Sequence, residues 1–157
     1  MTDKTASIHW EGQGKKGMGK ISTQTEALSS YPYGFASRFE DDRRGTNPEE
    51  LLAAAHAACF TMAFSFACDR AGFATAAVDT QAAVRLVMKD GGFLIDRISL
   101  KLEASVPGID EAAFQNLAAV AVFTDEVQRL HVQKAQIGLD FHQLVGHDRQ
   151  RQDDCHF

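Results

Sequence analysis

The stretch Gly45-Thr-Asn-Pro-Glu-Glu-Leu-Leu-Ala-Ala-Ala-His-Ala-Ala-Cys59-Phe-Thr-Met62 decides the fold of this chain. It reads as a capped helix built around one embedded thiol. Asn47 is suited to accept from first-turn amides as N-cap, and Pro48 fits the next position, where no N–H is needed. Glu50 then falls where it can bond back to the cap amide, which leaves its neighbour Glu49 without a capping duty. From Leu51 to Cys68 there is no charged residue. That length suffices for a membrane span. The Ala-rich composition, with His56, Thr61 and Ser65 inside it, fits better a helix buried on all sides within a protein.

Working outward, the N-terminal part reads as short strands. Ala6–Trp10 and Gly19–Thr23 flank Gly12, Gly14 and Gly17, the pattern of a hairpin. Pro32, Tyr33 and Gly34 read as a turn into Phe35–Phe39, a further extended piece that carries Arg38 and ends in a polar loop, 40–45. Gly72 is a natural helix stop. Beyond it, two runs flank Lys89-Asp-Gly-Gly92, a strong hairpin signal. In the second run Ile98, Leu100, Leu102, Ala104 and Val106 alternate with polar residues, so one face is buried. Asp110 caps a second helix with Phe114, Leu117, Ala118 and Ala121 at helical spacing. A last strand is expected over Val132–Phe141, burying Ala135, Ile137, Leu139 and Phe141. The pattern predicts one α+β domain over residues 1–141 and a polar, flexible tail over 142–157.

Composition narrows the function classes. The 157 residues are 45% hydrophobic with a formal net charge of -5, enough for one core. No basic block interleaved with aromatics supports a nucleic-acid partner, and the first residues lack the apolar run of a signal peptide. The reading is therefore a cytoplasmic protein with no nucleic acid and no membrane as partners. Three cysteines without a CxxC pair argue against a disulfide framework and a zinc site, so neither metal nor cofactor is expected. A helix apolar all round also needs more cover than one small sheet provides. That predicts an obligate homodimer.

Cys59 needs a reason to ionise, since most buried cysteines are inert packing. A thiol of ordinary pKa, about 8.5, is only about 3% thiolate at pH 7. Lowering that to about 5 takes roughly 4.8 kcal/mol of differential stabilisation. Arg38, between Phe35 and Phe39, is the best source of positive charge, and Glu49 can orient its guanidinium through a bidentate pair. The blander readings are an exposed arginine and a glutamate that favours the helix dipole. Geometry adds a constraint: ten helical residues separate Glu49 from Cys59 by about 15 Å. The two share a site only if the helix breaks between them or one comes from a second subunit. His56, one turn before Cys59, reads as a packed polar residue sooner than a base.

The runs Tyr33-Gly-Phe-Ala-Ser-Arg38-Phe-Glu40, Gly45-Thr-Asn-Pro-Glu-Glu-Leu51 and Ala55-His-Ala-Ala-Cys-Phe60 resemble the OsmC/Ohr family of osmotically inducible and organic-hydroperoxide-resistance proteins, its OsmC branch above all. The resemblance extends from His9-Trp-Glu-Gly12 to Leu139-Asp-Phe141. It implies an OsmC-like α+β fold in which curved antiparallel sheets enclose long central helices in an intertwined homodimer. It also implies a thiol peroxidase of stress defence that reduces organic hydroperoxides at the expense of an external thiol. Cys59 would be the peroxidatic cysteine, Arg38 its activating cation and Glu49 the carboxylate that holds the arginine.

One departure stands out. Family members usually carry a resolving cysteine after the second helix, where this chain reads Phe123-Thr-Asp-Glu-Val-Gln-Arg-Leu-His131. The usual disulfide cannot form. Cys68 lies nine helical residues from Cys59, on the opposite face and about 13 Å along. Cys155 sits on the tail. The alternative to a peroxidase is a scaffold that has lost turnover and binds an apolar ligand, or uses its thiol on another substrate.

Overall fold

Strands β1 (Ala6–Glu11), β2 (Met18–Thr23) and β3 (Tyr31–Gly34) form an antiparallel sheet in that order. The computed structural model describes residues 3–40, 42–124 and 136–143. Pro32 lies within β3 and not in a turn, which corrects the expectation for Pro32–Gly34. The edge position of β3 explains this, because an edge strand tolerates a residue with no N–H to give. Gly19 pairs with Trp10 on one side and with Tyr33 on the other. The two rings lie 5.5 Å apart, and a Cβ on Gly19 would sit 2.0 Å from the Tyr33 ring. A Cβ on Gly17 would meet Trp10 at 2.4 Å, so both glycines make room for these rings.

Phe35–Phe39 is a helical turn, α1, and not the extended piece expected. Ser37 is the cause. Its Oγ accepts from the Gly34 N–H at 3.0 Å and donates to the Thr46 carbonyl at 2.8 Å, closing the turn against a distant residue. Helix α2 then runs unbroken from Pro48 to Arg70. Asn47 Oδ1 accepts from the Glu50 N–H at 2.8 Å, as expected. Glu50 departs from its expected partner and accepts from the Thr46 hydroxyl at 2.9 Å. At the far end the Phe73 N–H bonds the Cys68 carbonyl and the Gly72 N–H bonds that of Asp69. Gly72, at φ +83°, makes that reversal possible.

The second sheet joins β4 (Ala77–Lys89), β5 (Gly92–Ser105) and β6 (Gln136–Gln143). Asp90 and Gly91, both left-handed, turn β4 into β5. β6 pairs parallel to β5, with Leu100 opposite Leu139, because α3 (Glu111–Thr124) carries the chain back across the sheet. β6 extends to Gln143, two residues past the strand end expected at Phe141. The expected strand residues 132–135, the burial of Ala135, Ile137, Leu139 and Phe141, and the tail from 144 with Cys155 lie outside what is described.

The core joins Phe60, Phe64 and Cys68 of α2 to Leu100, Leu102 and Ala104 of β5 and to Phe114 and Ala118 of α3. Thr61 donates to Thr80 of β4 at 2.7 Å, and Ser65 lies 3.2 Å from the hydroxyl of Thr75 in the loop before it, which ties the helix sideways to β4 and its approach. By length and composition α2 could cross a membrane, yet here one side of it is core. The other side keeps Met62 and Phe66 56% and 60% exposed. Phe64 touches Phe114 edge to face at 5.4 Å and is fully buried. Phe64→Ala is therefore expected to cost about 3–5 kcal/mol, read as a lowered midpoint in urea unfolding.

Candidate active site

Two short segments place the charged groups. Ser37 of α1 bonds the Thr46 carbonyl, and Asn47 Nδ2 returns a bond to the Ser37 carbonyl at 3.1 Å. With these neighbours stitched together, Arg38 faces Glu49. Arg38 Nε donates to Glu49 Oε2 at 3.0 Å and Nη2 donates to Oε1 at 2.5 Å, a two-pronged pair. The side chains are 33% and 14% exposed, so the pair lies at the edge of the protein and not in its core. The remaining N–H donors of Arg38, those of Nη1 among them, have no hydrogen-bond partner among the described residues. They are available to an anion or a peroxide oxygen.

Two other arginines are engaged elsewhere. Arg44 binds Asp42 through Nε and Nη2, and these hydrogen bonds pull the Asp42 carboxyl down to about 2. Arg85 is held by Asp96. A groove of about 660 Å³ lies beside the start of α2, lined by Tyr31, Ser37, Asp42, Thr46, Glu50 and Leu51 among others. Neither Arg38 nor Cys59 lines it, so chemistry and not size marks the candidate site.

Cys59 is half-buried on α2. Because α2 is continuous, Glu49 and Cys59 are separated by about 15 Å along its axis. One chain thus brings Arg38 and Glu49 together and leaves Cys59 apart, and a break in the helix, one of the two expected solutions, does not occur. Cys68 is fully buried in the core, and loss of water raises its thiol pKa. It is a packing residue. His56 is buried as well, 1% exposed.

The OsmC-like protein model matches residues 40–124, more than half of the chain. The chain belongs to the OsmC family. Peroxiredoxin OsmC of Escherichia coli K12 is 47% identical over 138 residues, which cover 88% of this chain and 94% of that protein, and the Shigella flexneri protein of the same name matches equally well. The organic hydroperoxide resistance protein OhrB of Bacillus subtilis has the same fold at a TM-score of 0.67 and 24% identity, with 88% of this chain and 98% of that one covered. One from Elizabethkingia anophelis superposes at 0.69 with 21% identity, over 91% and 99% of the two chains.

The OsmC match includes Glu49 and Cys59 and begins just after Arg38. Reading the sequence missed what lies over the arginine in this OsmC-family chain. Arg38 Cζ is 5.1 Å from the Phe39 ring centre and 6.0 Å from that of Phe93, at the tip of the β4–β5 hairpin. The available signal was a large apolar residue directly after a Gly-Gly turn, where a sheet has no core to offer. Glu49→Gln keeps the shape but loses the charge that orients Arg38. It is expected to reduce kcat/KM for a hydroperoxide by about tenfold, about 1.4 kcal/mol, in stopped-flow assays.

Proposed function

We propose that this protein is a cysteine-based peroxidase, an oxidoreductase that reduces organic hydroperoxides to alcohols in stress defence. The observation that carries the reading is the Arg38–Glu49 pair, with donors left over, in a chain 47% identical to a peroxiredoxin. In the proposed cycle the Cys59 thiolate attacks the terminal oxygen of the hydroperoxide and the O–O bond breaks. The alkoxide leaves and takes a proton as the alcohol, while sulfur is oxidised to the sulfenic acid. Arg38 would stabilise the thiolate and the charge that develops on the departing oxygen.

The partner is a second copy of the chain. The unbroken α2 and its exposed Met62 and Phe66 support a homodimer in which Arg38 and Glu49 of one subunit serve Cys59 of the other. No cysteine stands between Cys68 and Cys155 in the sequence, so regeneration falls to an external thiol. A first thiol condenses with the sulfenic acid, giving a mixed disulfide and water, and a second releases Cys59 and carries the disulfide away. Such a cycle suits the reducing cytoplasm.

The test joins a sulfenic-acid trap read by mass spectrometry to a steady-state assay with cumene hydroperoxide and a dithiol. A trap adduct on Cys59 and sustained peroxide consumption are expected. Absence of the adduct sinks the peroxidase. An adduct with a single stoichiometric burst supports the scaffold without turnover, a reading favoured by the missing resolving thiol.

A further inference from the structure

The tip of the β4–β5 hairpin holds a phenylalanine outside the core, half in water. Phe93 follows the left-handed residues Asp90 and Gly91, pairs with Met88 across the hairpin, and is 52% exposed. A ring left half in water forfeits burial free energy, so its position calls for another explanation. Its contacts provide one. Phe93 stacks on Phe39 with centroids 4.8 Å apart, and Phe39 leans on Phe35 at the same separation. The Lys15 ammonium stands 4.8 Å from the Phe35 ring, so three separated parts of the chain form one aromatic row with a cation at one end and Arg38 alongside.

We propose that Phe93 is a positioning residue for Arg38, its ring closing with Phe39 over the guanidinium while Glu49 grips the edge. The proposal rests on the peroxidase reading of this site. The two constraints act in different directions. Glu49 fixes the guanidinium within its own plane, but an ion pair one-third exposed on the arginine side is screened and free to swing. The rings limit that swing and attract the cation electrostatically. They also keep water from one side of the guanidinium, which strengthens its pull on a thiolate or a developing alkoxide. Phe39 adjoins Arg38 in α1, so altering it disturbs the backbone of the arginine itself. Phe93 comes from another element and can be changed separately.

The test compares Phe93→Ala and Phe93→Tyr with wild type, with circular dichroism to confirm folding. Two measurements are made on the intact protein: the Arg38 Nε–Hε resonance by NMR, and the pH profile of Cys59 alkylation in the absence of peroxide. In Phe93→Ala the Arg38 resonance is expected to lose its ring-current shift and its protection from exchange. Alkylation should move to higher pH, and kcat/KM for cumene hydroperoxide should fall about tenfold. Phe93→Tyr should restore all three. An Arg38 resonance and an alkylation profile unchanged in Phe93→Ala overturn the proposal. If the wild type shows no peroxide turnover while the Arg38 resonance still responds to Phe93→Ala, the peroxidase reading fails and the positioning role stands.

Discussion

Cys59→Ser is expected to abolish hydroperoxide consumption, by on the order of 10⁴-fold or more, the scale on which the loss of a nucleophile is felt. A hydroxyl at this position is not ionised by any cation at neutral pH and has no accessible sulfenic state. The variant should fold as the wild type does, because Cys59 is only half-buried and serine is nearly its size. Cys68→Ser tests the opposite case. It places a hydroxyl in a fully buried site among Phe64 and Leu102, so any loss there should appear in stability and not in the first turnover. Peroxide consumption by purified Cys59→Ser at the wild-type rate would remove Cys59 from the mechanism.

Arg38→Ala carries the second large effect. It removes the cation, along with N–H donors that no described residue uses, and is expected to lower kcat/KM by about 10²–10³-fold. The sign of the pH dependence follows from the charge. Without the guanidinium the thiolate is less favoured, so the rate profile moves toward alkaline pH and part of the loss is recovered there. Mixing decides where the arginine acts. In the proposed homodimer, Arg38→Ala and Cys59→Ser subunits, unfolded and refolded together, give mixed dimers with one complete site only if the site spans two subunits. Recovery of activity that neither parent shows is the expected result. Continued inactivity of the mixture would place Arg38 and Cys59 in one chain.

Legibility in the sequence followed how local each cause was. The ends of α2 could be read because Asn47, Pro48 and Gly72 act within their own turns. The buried face of β5 could be read because alternation reports directly on exposure. The direction of β6 could not, since a period of two looks the same in parallel and antiparallel pairing, and only the return through α3 settles it. Helix α1 was misread for a similar reason. Its five residues contain two phenylalanines that favour a strand, and the bond that closes the turn, from Ser37 to Thr46, spans nine residues. The facing of Arg38 and Glu49 was expected from the spare carboxylate and from family resemblance. Phe93 was marked only as a large apolar residue after a Gly-Gly turn, and its place over the arginine was not legible, because no sequence rule brings the tip of one hairpin to a helical turn more than fifty residues earlier.

The single tryptophan of the chain lies in the first sheet, bedded on Gly17, tilted against Tyr33, and donating to the Gly12 carbonyl at 3.1 Å. The last strand of that sheet runs directly into the turn that carries Arg38. Intrinsic fluorescence excited above the tyrosine band is thus a label that the protein already contains, and it reports on this sheet alone. Loosening of the arginine's support can be followed optically while the core around Phe64 remains dark and intact.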